Sequence, residues 1–386
     1  MLKKFSLSIS TIFSIIFFFA VGVNFPYYEN YNIIRNILLL LLLIYIFFRI
    51  KLLFTRANKK ITLYLILFIL IICYTTFINY SYTSQHINTM IVYCISTFVI
   101  FSFLIIQAYY NRIYKVIKIF FYLQMLIVTV NDWILLRKDY MLTLNSLYFI
   151  GDKFTVTYAH FTLIILYFTI LFIRKNKITL WNFLLGVVLL ICSFYIILYV
   201  DCSSGIIAFI LLIFLISLIL NNYLIIGTVK HVLFVLGFSY SFVIINKIFL
   251  SLPFIQIIIQ DYLGHTLTLS NRVNIYNQLY SLLEGHWIFG YGFGTTYELG
   301  MKLGNFPNTQ NGIMEWIWQC GIIGTILILL LIFEVMKKNI KKKSIYCISA
   351  LLVTLSFLAS VEITINLLFM LLLAIFYSLS FQYKFR

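Results

Sequence analysis

The stretch "NILLLLLLIYIFFRIKLLFTRANKKITLYLILFILIICYTTFI", residues 36–78, consists of two long apolar runs joined by a short basic connection. Each run approaches the roughly 20 residues that an α-helix needs to cross about 30 Å of hydrocarbon. The basic residues of the connection are Arg49, Lys51, Arg56, Lys59 and Lys60. The pattern predicts two membrane-crossing helices with a basic loop on one side of the membrane.

The composition of the whole chain extends this prediction. Hydrophobic residues make up 63% of the 386 residues, and only 10% are charged. An average soluble domain is roughly 45–50% apolar, so a soluble protein of this length could not cover so much apolar surface. The sequence therefore predicts an all-α, polytopic integral membrane protein with a single transmembrane domain over residues 1–386.

Apolar runs near the membrane-crossing length recur along the whole chain, and we predict about twelve transmembrane helices. The runs lie near residues 7–23, 34–50, 61–78, 88–108, 114–131, 156–173, 179–200, 204–220, 232–249, 312–333, 345–361 and 363–381.

Most of the 28 basic residues fall in connections on one side of this arrangement, such as 49–60, 112–118 and 337–343. The positive-inside rule makes that side the cytoplasm, so both termini are predicted to be cytoplasmic. Abundant Ile, Phe, Asn and Lys are typical of an AT-rich bacterial genome, which indicates a bacterial plasma membrane. The net charge of +17 then mainly reflects this topology, and it would attract the protein to anionic lipids of the bilayer. No nucleic-acid partner is expected, because the charge is spread over separate loops without a stacking platform.

The longest connection, residues 250–311, is predicted to be external and to carry the candidate site. The next longest, 132–155, falls on the same side, whereas the cytoplasmic connections are short. This asymmetry predicts chemistry on the outer face. The sequence has no Gly-x-x-x-x-Gly-Lys-Ser/Thr loop, which disfavours ATP-driven machinery.

Within this connection, Ser270 and Asn271 are typical N-cap residues, and apolar residues follow at helical spacing. Arg272 would lie in the first turn, where a cation opposes the helix dipole. A forked guanidinium beside free N–H groups suits phosphate oxygens. The alternative is a solvated interfacial arginine.

Two further segments complete the connection. "FGYGFG" (289–294) contains Gly290, Gly292 and Gly294, whose spacing and context do not match a dinucleotide-binding fingerprint, and the alternative to a site here is a flexible turn. "NTQNGIMEWIWQCGIIG" (308–324) places polar side chains at the entrance of the next helix, namely Asn308, Gln310, Asn311 and Glu315. Amides both donate and accept hydrogen bonds, so they could hold sugar hydroxyls.

An arginine, an amphipathic stretch, spaced glycines and then this polar entrance resemble the O-antigen ligase and polysaccharide repeat-unit polymerase (Wzy-type) superfamily. "YFIGDKFTVTYAHFTLIIL" (148–166) and "VDCSSGIIAFILL" (200–212) are similar to further segments of that family. The resemblance covers most of residues 148–333. The ligases typically have His-Asn where this chain has Gln310-Asn311, which favours a polymerase of capsular or exopolysaccharide repeat units over a ligase.

The resemblance implies a membrane glycosyltransferase. Its substrate would be a polyprenyl-diphosphate-linked oligosaccharide, polymerised on the outer face without a cofactor or metal, and its partners would include a chain-length regulator and a flippase. Fixed cations would stabilise the departing diphosphate. We predict catalytic roles for Arg272, Asp201 and Glu315, and substrate-binding roles for Arg35, Lys153, His160, Gly290, Gly292, Asn308, Gln310 and Asn311. For His160 the alternative is a helix-packing hydrogen bond.

One alternative function comes from another class. A polysaccharide transporter or flippase also has about twelve helices, but it should show two related halves and charges along a central path. In this chain the polar residues gather in the predicted external connections instead.

Overall fold

The computed structural model describes residues 8–26, 28, 30–137, 148–173, 179–222, 228–257, 260–261, 272–337 and 340–384. These residues form an all-helical structure, and the only β-type pairing among them is the isolated bridge between Tyr148 and Gly151.

The helices follow the predicted apolar runs. They are α1 Ile9–Gly22, whose last turn Phe18–Gly22 is π-helical, α2 Tyr31–Phe47, α3 Lys59–Ile78, α4 Ile87–Tyr109, α5 Ile113–Arg137, α6 Lys153–Ile173, α7 Leu180–Tyr199, α8 Ser203–Leu220, α9 Val229–Leu250, α10 Pro253–Ile257, α11 Arg272–Leu282, α12 Thr296–Gly304, α13 Gly312–Met336, α14 Lys343–Leu358 and α15 Leu367–Lys384.

Among the described residues, nine helices are long and apolar enough to cross a membrane, which is the pattern of a multi-pass membrane protein. They are α3–α9, α13 and α15. The other apolar helices, α1, α2 and α14, have 10–17 residues. Twelve crossings therefore remain a prediction, although each predicted run overlaps a helix.

Helices α14 and α15 form the centre of the described bundle. Nearly every side chain of α14 is buried, and α14 packs against α6, α8 and α9. Helix α15 packs against α4, α13 and α14. By contrast, α7 exposes most of its apolar side chains, as a lipid-facing helix would.

Several basic segments meet at one end of the bundle. Lys115 Nζ donates to Ser8 Oγ at 2.6 Å, and Lys343 Nζ donates to the Leu220 carbonyl at 3.0 Å. The Ile113 amide donates to Gln382 Oε1 at 3.2 Å. These contacts join the start of α1 with the connections that the sequence assigns to the cytoplasmic side.

Segment 250–311 contains the short helices α10, α11 and α12 in its described part. The predicted amphipathic helix is present as α11, with Ile275, Tyr276 and Leu279 buried. The predicted N-cap pair, Ser270 and Asn271, lies outside the described residues.

Candidate functional site

A cavity of about 500 Å³ lies where α1, α2, α4, α5, α6, α13 and α15 meet. This volume falls within the range of about 300–1,000 Å³ that is usual for small-molecule sites. Its lining is mixed, with apolar and aromatic groups beside the polar side chains of Asn24, Arg35, Ser96, Gln124, Thr155, Tyr158, Thr162, Glu315, Gln319 and Asn366.

The cavity is at the end of the bundle away from the basic segments. It contacts the C-terminal turn of α1 at Gly22, the second turn of α2 at Arg35, and the first turns of α6, α13 and α15. If consecutive helices alternate in direction, these are all ends on the predicted external side. Polar groups at membrane depth are expected to line such a cavity rather than to face lipid.

Arg35 lines this cavity from the first half of α2. Its Nε atom is buried and has no hydrogen-bond partner among the described residues. A buried donor without a partner is uncommon in folded proteins, where it usually meets water or a ligand. Among the predicted cations Arg35, Lys153 and Arg272, Arg35 is the one that lines the cavity.

Glu315 lies on another wall, in the first turn of α13, and is 6% exposed. Its Oε1 accepts from Thr296 Oγ1 and from Gln319 Nε2, each at 2.6 Å. Its Oε2 accepts from Thr309 Oγ1 at 2.9 Å and from the Thr309 amide at 3.4 Å. Both oxygens are therefore engaged, so Glu315 supplies a fixed carboxylate and an anchor for α12 rather than a free proton acceptor.

Arg272, the first residue of α11, forms an ion pair that the sequence analysis missed. Its Nη2 donates to Glu362 Oε1 at 2.6 Å, and its Nε donates to the Val361 carbonyl at 2.9 Å. Ser204 Oγ donates to the same Glu362 oxygen at 3.3 Å. The pair joins α11 and α8 to the connection between α14 and α15, across 90 residues of sequence.

The Glu362 carboxylate is mostly withdrawn from solvent. Burial raises its pKa above the ordinary value, against the lowering effects of Arg272, Ser204 and Lys153. The ion pair also borders the cavity: the adjacent Ile363 lines it, and so does Tyr158, which is close enough to interact electrostatically with Glu362 and Arg272. A lone glutamate between two apolar runs was the signal that could have identified it.

A hydrogen bond joins the Lys153 side chain to the main chain at Asp201. Lys153 Nζ donates to the backbone carbonyl of Asp201 at 2.9 Å, which joins the start of α6 to the turn between α7 and α8. Asp201 has φ 51°, and its side chain is exposed and does not line the cavity. The structure brings Lys153 near Glu362 but gives Asp201 no position from which to act on a ligand in the cavity.

Gly290 and Gly292 allow the segment before α12 to pack closely against neighbouring parts of the protein, including the backbone of α13. Helix α13 is broken at Gly321, with φ 65°, and the carbonyls of Trp318 and Gln319 accept from the amides of Tyr291 at 2.7 Å and Gly292 at 3.0 Å. A Cβ at Gly290 would lie 2.4 Å from the Trp318 oxygen, and one at Gly292 would lie 2.4 Å from Thr83 Cγ2. Neither glycine lines the cavity, so we replace their predicted substrate-binding role with a structural one.

The side-chain amide of Asn311, before the first residue of α13, forms hydrogen bonds with other groups of the protein. Asn311 is fully buried and caps α13, because its Oδ1 accepts from the amides of Ile313 and Met314. Its Nδ2 donates to the carbonyls of Ser239 at 2.8 Å and Ser360 at 3.2 Å. No hydrogen-bonding group of its side chain remains for a sugar, which corrects the predicted role.

Asn308 and Gln310 form the turn before this cap. Asn308 Oδ1 accepts from the Gln310 amide at 3.0 Å, and the Gln310 carbonyl accepts from Tyr276 Oη at 2.8 Å. Gln310 adopts φ 54°. Both side chains are partly exposed outside the cavity lining, so the cavity does not include these predicted ligands.

His160 joins three helices. It is 2% exposed, its Nδ1 pairs with Ser193 Oγ of α7 at 3.1 Å, and its Nε2 pairs with Asp132 Oδ1 of α5 at 3.3 Å. The neighbouring Ala159, not His160, lines the cavity. The helix-packing alternative therefore describes His160 better than the substrate-binding role.

Comparison of this chain with protein-family models, with curated proteins and with solved structures finds no match. The part of the chain that the structure describes holds no group of three or more His, Cys, Asp or Glu side chains that could bind a metal ion. The assignment of a function therefore depends on the geometry of the cavity and on the resemblance of the sequence motifs.

Proposed function

We propose that this chain is a membrane glycosyltransferase that joins polyprenyl-diphosphate-linked oligosaccharide units into a surface polysaccharide at the outer face of a bacterial plasma membrane. We further propose twelve membrane crossings with both termini in the cytoplasm. The observation that supports the function most is the cavity of mixed lining, which includes the Arg35 side chain beside apolar and aromatic walls at one end of the bundle.

Arg35 is the proposed contact for the diphosphate. In the transfer, an acceptor hydroxyl oxygen bonds to the anomeric carbon while the bond from that carbon to the phosphate oxygen breaks. The diphosphate leaves with the electron pair, and the hydroxyl proton passes to solvent. Negative charge grows on the leaving group, so a cation held in a partly buried cavity favours the transition state more than the ground state.

The ion pair of Arg272 and Glu362 has a different role in this proposal. Arg272 is already compensated by a carboxylate and a carbonyl, so its net attraction for a diphosphate is small. We assign it to holding α11 against the wall of the cavity. Lys153, which lies near Glu362, adds positive potential on that side.

The test is the lipid-linked and polymeric glycan profile of producing cells. Cells without this chain should lose long polysaccharide and accumulate single lipid-linked units on the outer face. Arg35→Gln should reproduce that loss at normal membrane abundance. Arg137→Gln is the matched control, because Arg137 is an exposed cation at the end of α5 that rests on the Trp133 ring.

Two outcomes would contradict the proposal. Accumulation of single units on the inner face would indicate a flippase. Complete chains that fail only to reach their final acceptor would indicate a ligase.

A further inference from the structure

The first two helices are shorter than the helices beside them. Helix α2 has 17 residues and α1 has fewer, whereas the neighbouring α5 has 25. At 1.5 Å per residue, α2 is about 25 Å long and α5 about 37 Å long. Since the hydrocarbon of a bilayer is about 30 Å thick, α1 and α2 do not extend through all of it, whereas α5 does. We call α1, α2 and the connection between them the N-terminal hairpin.

The N-terminal hairpin is short at its external end. Its other end is at the basic side of the bundle, where Lys115 at the start of α5 donates to Ser8 before α1. Helix α1 ends at Gly22, where an added Cβ would lie 3.1 Å from Phe120 Cε1 of α5. From Phe120, α5 continues to Arg137, which is about 25 Å further along its axis. Helix α1 is therefore beside only the first part of α5.

A non-helical connection borders the cavity beyond the end of α1. Its described residues are 23–26, 28 and 30, and none of them is helical. Val23 and the exposed Asn24 line the cavity. The rings of Phe25 and Tyr28 pack on the Phe149 ring, with centroids 5.1 Å and 6.4 Å away. Non-helical backbone at membrane depth is tolerated where it lines a cavity, which is its position here.

Helix α2 combines a cavity-lining cation with a lipid-facing surface. Arg35, in its second turn, lines the cavity, whereas the nearby Ile33, Ile34 and Ile37 are each at least half exposed. A short hydrophobic segment is accommodated by local thinning of the bilayer, which brings lipid head groups toward the level of Arg35. A cation at the border of an exposed apolar surface matches a lipid with an anionic head group and a hydrocarbon chain.

We propose that the external end of the N-terminal hairpin is a lateral entrance to the cavity from the outer leaflet. The diphosphate of the lipid-linked substrate contacts Arg35, and its polyprenyl chain stays in the bilayer along the exposed isoleucines of α2. A cavity of about 500 Å³ does not hold a long polyprenyl chain as well as its head group, so the chain must lie outside. This inference rests on the proposed function, and it adds the surface that receives the lipid part of the substrate.

The experiment uses the full chain in lipid nanodiscs and an undecaprenyl diphosphate probe with a photoactivatable diazirine in the isoprenoid unit nearest the diphosphate. After irradiation, peptide mass spectrometry reports which helices carry the label. Helix α7 is the internal control, because its apolar side chains are also exposed but it does not line the cavity. A charged hydrogen bond corresponds to about tenfold in affinity, so α2 should be labelled about tenfold more than α7, and excess undecaprenyl diphosphate should remove the difference.

Two substitutions test the two parts of the entrance. Arg35→Gln should lower the labelling of α2 about tenfold, whereas Arg137→Gln should leave it unchanged. Asn24→Trp places a large side chain at an exposed position of the entrance and should also reduce the labelling. Its matched control is Asn277→Trp, because Asn277 is an exposed asparagine of α11 that does not line the cavity.

Equal labelling of α2 and α7 would overturn the entrance, and so would labelling of α2 that neither excess undecaprenyl diphosphate nor Arg35→Gln reduces. The proposed function would fail separately, through the glycan profile of cells. Labelling of α2 that depends on Arg35, in a protein without polymerase activity, would retain the entrance for a diphosphate lipid and reject the polymerase.

Discussion

The ion pair of Arg272 and Glu362 gives the most direct prediction about stability. The side chains of Arg272 and Glu362 are 18% and 10% exposed, and Arg272 Nη2 lies 2.6 Å from Glu362 Oε1. Removing one partner of a buried pair costs about 3–5 kcal/mol, because it leaves a buried charge without compensation. Since part of the Arg272 side chain remains accessible, we expect Arg272→Met to lower the free energy of unfolding by about 3 kcal/mol.

The second variant in the cycle is Glu362→Gln. If the two side chains interact as described, the double variant should be more stable than the sum of the single effects predicts, by about 2 kcal/mol. The assay is reversible unfolding of the purified protein in mild detergent by titration with sodium dodecyl sulfate, followed by tryptophan fluorescence. Effects that add within about 0.5 kcal/mol would refute the reasoning, because independent sites behave in that way.

The pH dependence of the same variants has a definite sign. Burial raises the pKa of Glu362 in the folded state, so the folded chain binds this proton more tightly than the unfolded chain. The associated stability is fully present below the unfolded pKa, roughly 4.3, and is lost as pH rises through the folded pKa. Arg272 lowers the folded-state pKa of Glu362, so in Arg272→Met this pKa should be higher and the loss of stability should continue to higher pH. The difference in stability between Arg272→Met and the wild type should therefore be smallest under acidic conditions.

The matched control is the pair of Lys337 and Glu334. It spans one turn of α13 at 2.5 Å, and the lysine is 33% exposed. Its glutamate is 10% exposed, as Glu362 is, but the lysine is more accessible than Arg272, so Lys337→Met should destabilise the protein less than Arg272→Met does.

Two further substitutions test the corrected residue roles, each by the same unfolding assay. Gly290→Ala forces a Cβ to within 2.4 Å of the Trp318 carbonyl oxygen and should lower the free energy of unfolding by more than about 1 kcal/mol. At the control position Gly237 a Cβ meets nothing within 4 Å, so Gly237→Ala should leave the stability unchanged or raise it slightly. Equal effects of the two substitutions would reject the packing role of Gly290. His160→Leu removes the hydrogen bonds of His160 to Ser193 and Asp132, so it should lower the free energy of unfolding by about 1–3 kcal/mol. It should leave the affinity of the protein for undecaprenyl diphosphate unchanged. Loss of that affinity in a stably folded variant would restore the substrate-binding role of His160.

Hydropathy predicted the positions of the helices well, because the bilayer requires long apolar runs whatever the tertiary structure. It could not predict which helices are central. Helices α14 and α7 are both apolar along their length, yet α14 is enclosed and α7 faces outward. In a membrane both lipid and protein accept apolar side chains, so the sequence pattern does not distinguish them.

The candidate site was predictable in part. Arg35 and Glu315 were identified as rare charges on the predicted outer side, and both line the cavity. Glu362 was missed because its partner Arg272 is 90 residues away in the sequence. The spaced glycines were assigned to a ligand because the break of α13 at Gly321, which they contact, is a tertiary feature.

The central claim is that this chain alone lengthens a lipid-linked glycan. The most direct measurement is chain growth by the purified protein in liposomes that contain the lipid-linked oligosaccharide unit, resolved by gel electrophoresis. The account predicts a ladder with the spacing of one unit, formed without nucleotide and abolished by Arg35→Gln but not by Arg137→Gln. Units that only move across the bilayer without becoming longer would contradict it.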